Sequence, residues 1–288
     1  MQSGSAVLQI PRCTAGLPPN MTKKENGTIA GDRKKDDQYI EHMFLGKAGQ
    51  PIPIEGISVK QAEQIMETAV EYKELRMMYA CALKEIRTKF DVLNTEFNVR
   101  YQRNPINFIT TRVKSTHSIL EKMHRLKAHF TLRDVEEKLN DIAGVRVICS
   151  YVDDIYRIAS ALTEQDDIKL LQEKDYISNP KPNGYRSLHL IVSVPVFFAD
   201  HKRDMRVEVQ IRTIAMDFWA SLEHQLKYKK EIPEQQEIIA RLKKCADTIA
   251  ETDMSMLEIR RQIEGAEGPD TDTFVLMERI KRLDEPIF

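Results

Sequence analysis

The chain has 288 residues, a formal net charge of −1, 42% hydrophobic and 30% charged side chains. That composition describes a globular protein with a real core and excludes a disordered polyelectrolyte, so any basic site must be local. No apolar run approaches the ~20 residues of a bilayer span, no secretory signal is evident, and the four cysteines at 13, 81, 149 and 245 form no CxxC pair, which disfavours a zinc site or a disulfide framework and implies a reducing, cytoplasmic compartment.

Residues 1–57 show no sustained period and carry Gly, Pro, Asn and Ser throughout, the pattern of a flexible N-terminal segment. Ser5 to Gln9 (SAVLQ) reads as a protease recognition sequence and Met21 as a natural start, so 1–20 is set aside from fold reasoning. Ser58 and Gln61 form a capping box that opens a long amphipathic helix, with apolar positions from Ala62 to Phe97 at helical spacing. A strand over 108–113 precedes a helix near 115–128. A second helix has Thr131 as its N-cap and ends before Gly144. Residues 144–151 (GVRVICSY) alternate as a strand, Asp153 or Asp154 caps the helix that follows, and 168–173 is the next strand, so 144–173 is expected to be a βαβ unit with a parallel pair. Strands at 187–197 and 205–212 form a hairpin. Helices follow at 213–229 and 234–264, and 265–288 is a tail with a short helix at 273–283. The fold class is therefore α/β (α+β): a mixed five-stranded sheet flanked by helices, in one domain over 58–264.

Between two of these strands lies DYISNPKPNGYRSLH (175–189), which packs Pro180, Pro182 and Gly184 beside Lys181, Tyr185, Arg186 and His189. Two prolines and a glycine make a stiffened loop, and its cations and aromatic ring are the groups that stack a base and hold phosphates. Strand alternation places Arg206, Glu208, Gln210 and Arg212 on one face of their strand, and it gives Arg146 and His189 similar placements on theirs. A helix-covered sheet is ordinarily apolar on both sides, so this face is either exposed or a cleft. Glu208 in mid-strand needs work or partners; the bland alternative is an ion-pair ladder with Arg206 and Arg212. Asp141, just before the strand at 144, is a second carboxylate that could share a Mg²⁺ with Glu208. Lys114, Ser118 and Lys122 are spaced four apart, with Arg112 and Arg125 bracketing them, a basic stripe suited to a triphosphate.

With these residues laid out, the chain resembles the RelA/SpoT-type (p)ppGpp synthetases, and specifically the single-domain small alarmone synthetases. The matching motifs are RVKSTHSILEK (112–122), DIAGVRV (141–147), KDYISNPKPNGYRSLH (174–189), VEVQIRT (207–213) and AMDFWASLEHQLKYK (215–229). The resemblance implies a nucleotidyltransferase-like fold with long terminal helices. It implies transfer of the β,γ-pyrophosphate of ATP to the 3′-hydroxyl of GDP or GTP, with Mg²⁺, in the stringent stress response. Asp141 and Glu208 would hold the metal, and Glu208 would activate the 3′-hydroxyl. Arg112 and Arg146 would stack on adenine, while Lys114, Ser118, Lys122 and Arg125 would hold ATP phosphates. Tyr185 would stack on guanine by its ring face, with its hydroxyl dispensable. Lys174, Lys181 and His189 would serve the acceptor's phosphates and ribose, Gln210 would also bind the acceptor, and Asp217 would meet the guanine edge. Two departures stand out: Lys174 where some relatives have Arg, and Asp217 where some have Asn. Relatives form homotetramers, some with an effector cleft near the positions of Phe108 and Thr110, so a homotetramer is implied, with (p)ppGpp or RNA as a candidate regulator.

None of the seven histidines is followed by Asp, the pair on which the family's hydrolase half depends, so synthesis without hydrolysis is expected. The competing class is a catalytically silent module of the same fold that binds nucleotide or single-stranded RNA through the basic stripe and Tyr185. A third alternative is a nucleotidyltransferase that releases pyrophosphate.

Overall fold

The computed structural model describes residues 59–129, 131–227 and 235–266. The proposed cap at Ser58, the segment 1–57 and the tail helix at 273–283 lie outside the described residues. The first helix, α1 (Val59–Tyr101), runs 43 residues without a Gly or Pro, roughly 65 Å at 1.5 Å per residue. Its inward seam is Tyr72, Leu75, Tyr79, Ala82, Leu83, Ile86, Phe90, Leu93 and Phe97, all buried at steps of three and four. Met66, expected inward, is exposed. The helix stops at Gln102, whose φ of 49° reverses the chain, and Pro105 follows.

Strand β1 (Ile106–Val113) leads into helix α2 (Thr116–Arg125) and helix α3 (Leu132–Lys138). Then come β2 (Ala143–Cys149), α4 (Val152–Thr163) and β3 (Lys169–Asp175). The hairpin β4 (Leu188–Phe197) and β5 (Lys202–Thr213) is closed by Phe198 N–H donating to the His201 carbonyl at 2.8 Å. Helices α5 (Ile214–Lys227) and α6 (Gln235–Ala266) complete the order. Among the described residues, no helix is long and apolar enough to cross a membrane.

The five strands form one mixed sheet in the order β1-β2-β5-β4-β3, with β2 and β5 parallel and the other pairs antiparallel. The expected parallel pair within 144–173 is thus corrected. β2 and β3 run in the same direction, but β5 and β4 lie between them. The physical reason is burial. β3 carries Lys169, Gln172, Glu173 and Lys174 and is exposed along nearly all its length, which suits an edge. β5 is apolar enough, through Met205, Val207, Val209 and Ile211, to sit in the middle. The cap of α4 is corrected too. Tyr151 occupies the N-cap without a side-chain bond, because Asp153 and Asp154 turn instead to Arg260 and Arg103.

The apolar face of the sheet gathers Val145, Val147, Leu188, Leu190, Val192, Val194, Val207, Val209 and Ile211, and α1 and α4 pack in the same core. Burying that face against α1 leaves the opposite face for polar side chains, so the core decides where the cleft can be. Phe90 is fully buried in this layer. Phe90→Ala should lower stability by about 3–5 kcal/mol through lost burial and the cavity left behind, read as a shift in urea midpoint; a midpoint within error of the parent would contradict this packing.

Candidate active site

Strand register assembles the polar face in rows. Arg112 lies beside Gly144, Gly144 beside Glu208, and Glu208 beside Ile191. One pair further, Thr110, Arg146, Gln210, His189 and Lys174 run across all five strands. Residues in register on one face stand about 5 Å apart, so a chain with polar residues at alternate positions on four strands must bring them together. A Cβ at Gly144 would meet only Arg112, at 3.9 Å, an ordinary van der Waals contact, so this position on the row is open.

The residues expected to hold ATP come mostly from the β1–α2 connection. Ser115 caps α2 from extended backbone, and its hydroxyl accepts from Ser118 N–H at 3.2 Å. Lys114 therefore precedes the helix and does not share its face with Ser118 and Lys122, which corrects the expected stripe. Its backbone is fixed instead by N–H donation to the Ile142 carbonyl at 2.7 Å and by Arg76, which donates to its carbonyl at 2.9 Å. The two lysines still converge, because both reach Asp141: Lys114 Nζ at 2.6 Å from Oδ2 and Lys122 Nζ at 2.8 Å from Oδ1. Asp141 is pinned between buried Leu139 and Ile142. Burial pushes its carboxyl up, but the two ammonium groups more than offset this and hold it below the ordinary range. Buried Oδ1 thus has the Lys122 ammonium as its ion-pair partner among the described residues. Arg112 and Arg125 are exposed at the rim.

Glu208 has neither neighbouring arginine as a partner. Arg206 NH1 donates to Asn140 Oδ1 at 2.7 Å, and its NH2 donates to the Glu136 carbonyl; Arg212 points elsewhere. The ion-pair ladder is therefore absent among the described residues. Gln210 Nε2 donates to Glu208 Oε2 at 3.0 Å, and His189 Nδ1 lies 3.4 Å from Oε1. Burial raises the Glu208 carboxyl; the histidine and the amide outweigh burial and leave it depressed. Asp141 is close enough to oppose that depression, so the two carboxylates feel each other.

The residues expected to hold the acceptor are joined by Arg212, which is only 4% exposed and which the sequence reading did not select. Its NH2 donates to the Tyr185 hydroxyl at 2.5 Å and to Gln210 Oε1 at 2.9 Å. NH1 donates to Asp217 Oδ1 at 3.1 Å, and Nε donates to Ser187 Oγ at 3.3 Å. Arg146 NH1 shares the same Asp217 oxygen at 3.2 Å. The Tyr185 hydroxyl also lies 2.8 Å from His189 Nε2. The hydroxyl, expected to be dispensable, thus links the arginine to the histidine beside Glu208. Lys181 Nζ lies 4.5 and 4.6 Å from the ring centres of Tyr176 and Tyr185. Lys174 is exposed at the end of β3, opposite His189. Arg186 does not enter the cleft; it donates to the Gly184 and Ala246 carbonyls and to Asp247. The one signal for Arg212 was its place on the polar face of β5, which a ladder explained equally well.

Arg212→Lys keeps the charge and loses the fork that serves four acceptors. Leaving buried partners unpaired should reduce stability by about 1–3 kcal/mol, measured by urea denaturation. No change in midpoint would mean that the network is not holding the site.

Residues 111–233 match a family model described as a region found in RelA / SpoT proteins. The chain is 40% identical over 210 residues to the GTP pyrophosphokinase YwaC of Bacillus subtilis, covering 72% of this chain and 99% of that protein. Among solved structures, it is similar to the small alarmone synthetase 1 of Bacillus subtilis bound to its product pppGpp, with TM-score 0.61 and 36% identity over 67% of this chain and 98% of that one. The same enzyme bound to AMPCPP matches with TM-score 0.56 and 32% identity, covering 68% and 98%. By its sequence and its fold, the chain belongs to the RelA/SpoT family, among the small alarmone synthetases.

Proposed function

We infer that this cleft transfers the β,γ-pyrophosphate of ATP to the 3′-hydroxyl of GDP or GTP, giving AMP and ppGpp or pppGpp, without hydrolysing the product. The observation that carries the reading is the position of Glu208. It stands in one sheet row with Arg112 and Gly144, next to the row of Arg146, Gln210 and His189, where a donor and an acceptor held on opposite sides would meet. The naming of relatives as GTP pyrophosphokinases and their structures with pppGpp and AMPCPP support it.

Lys114, Ser118, Lys122 and Arg125 face the donor's phosphates, and the planar guanidinium groups of Arg112 and Arg146 suit adenine. Tyr185 stacks on the acceptor's guanine, Asp217 accepts from its edge, and Lys174, Lys181, His189 and Gln210 serve its phosphates and ribose. Glu208 takes the proton from the 3′-hydroxyl as that oxygen bonds to the β-phosphorus and AMP departs. Its depressed pKa keeps it deprotonated near neutrality, at some loss of basicity.

Asp141 and Glu208 would hold a Mg²⁺. The mutual influence of the two carboxylates fits such an ion, which keeps its waters and substrate oxygens alongside one or two carboxylates. When bound, the ion neutralises phosphate charge. The same reading makes the protein a cytoplasmic homotetramer; the exposed Met66, Val70, Met77, Val92 and Val99 along α1 support self-association.

The test is incubation with ATP, GDP or GTP, and Mg²⁺, followed by nucleotide chromatography. AMP should appear together with a guanosine tetra- or pentaphosphate, and added ppGpp should persist. Glu208→Gln should lower turnover by ~10²–10⁴-fold while ATP binding holds. Free pyrophosphate as product would indicate a nucleotidyltransferase, and binding without turnover would indicate a silent module; either result overturns the reading.

A further inference from the structure

Helix α6 is attached to the rest of the molecule along one seam: Leu242, Ala246, Ile249, Asp253, Leu257 and Arg260, at steps of three and four. Its near end presses on the loop that carries Tyr185. Gly184 has φ +89°, and a Cβ there would stand 2.5 Å from Ala246 Cβ and 3.1 Å from Lys243 Cα. Only glycine permits both the left-handed backbone and this approach. Two residues on, Arg186 grips the helix, with NH1 donating to the Ala246 carbonyl at 3.1 Å and NH2 to Asp247 Oδ1 at 2.9 Å. Its NH1 also donates to the Gly184 carbonyl at 3.2 Å, which closes the loop on itself. Between these two residues sits Tyr185, packed with Leu242 and Ile249 against Trp219, Ala220 and Ala246. Trp219 Nε1 donates to the Leu242 carbonyl at 3.0 Å.

Further along, α6 is fixed independently of the loop. Thr213, at the end of β5 beside Arg212, donates to Asp253 Oδ2 at 2.6 Å while accepting from Met216 N–H at 3.0 Å. Arg260 donates to both oxygens of Asp153 on α4, at 3.2 and 2.5 Å. The helix is thus anchored to the sheet and α4, and the loop is anchored to the helix.

We propose that α6 sets the affinity for the guanine acceptor, with Asp247 and Ala246 as positioning residues that hold Tyr185 in place through Arg186 and Gly184. This rests on the reading of Tyr185 as the guanine platform. A loop ordered before binding does not have to be ordered by the ligand, and that saving appears as affinity. Of the donor residues on β1, α2 and β2, Arg146 is joined to Tyr185 indirectly, through Asp217 and Arg212, so the effect falls first on the acceptor.

Asp247→Ala removes a half-exposed partner and should raise acceptor KM about three- to five-fold, the scale of a partly exposed ion pair. Asp247→Glu should restore it. Gly184→Ala, strained and sterically opposed, should raise acceptor KM roughly ten-fold or more. In all three variants ATP KM should stay within two-fold of the parent, roughly the scatter expected for an untouched site. Direct titration with GDP should show the same order without turnover. The proposal is overturned if donor and acceptor KM rise together, or if Asp247→Ala and Gly184→Ala both leave GDP binding unchanged while the parent binds it. A parent chain that binds no GDP or GTP overturns this inference and the functional reading beneath it.

Discussion

A single buried guanidinium organises the half of the cleft proposed to take the acceptor. Arg212 must satisfy its donors inside the protein, and it does so on β5 itself, on the loop before β4 and on the first turn of α5. Its one carboxylate, Asp217, is shared with Arg146 on β2. A cation in such surroundings tolerates little displacement, because each lost partner leaves an unpaired buried group. The positions of Tyr185, Gln210 and Asp217 are therefore not independent. Through the Tyr185 hydroxyl and His189, the same chain of contacts ends at Glu208.

The half proposed to take the donor is built on the opposite electrostatic plan. There, one carboxylate, Asp141, collects two lysines, and the arginines above it are exposed at the rim or only half-buried. Flexible ammonium groups around a fixed anion can turn toward incoming phosphates without breaking the fold. The acceptor side offers a fixed frame, and the donor side offers adjustable charge. Between them Glu208 stays anionic, because His189 and Gln210 outweigh the burial that would protonate it.

Much of this could be read in the sequence, for reasons that are local. Alternation sorted Arg146, His189, Glu208 and Gln210 onto one face, and register then brought them together. The loop with two prolines and a glycine was recognisable as stiff, and Gly184 does adopt a positive φ. What could not be read depends on partners distant in sequence. Arg206 and Arg212 share the Glu208 face of β5, two residues before it and four after it, yet one caps the end of α3 and the other holds Tyr185. Arg186 looked like a phosphate ligand from its neighbours and proved to be a clasp on a helix sixty residues away. Strand order was hidden for the same reason: βαβ spacing fixes the direction of β2 and β3, while the hairpin that separates them is specified by burial across the whole sheet.

The central claim is that donor and acceptor occupy opposite halves of one sheet face and meet at Glu208. A crystal structure with GDP, a non-hydrolysable ATP analogue and Mg²⁺ tests it most directly. The account predicts guanine against Tyr185, adenine between Arg112 and Arg146, and the acceptor 3′-hydroxyl within hydrogen-bond reach of Glu208. Guanine seated on the α2 side, or a 3′-hydroxyl directed away from Glu208, would contradict it.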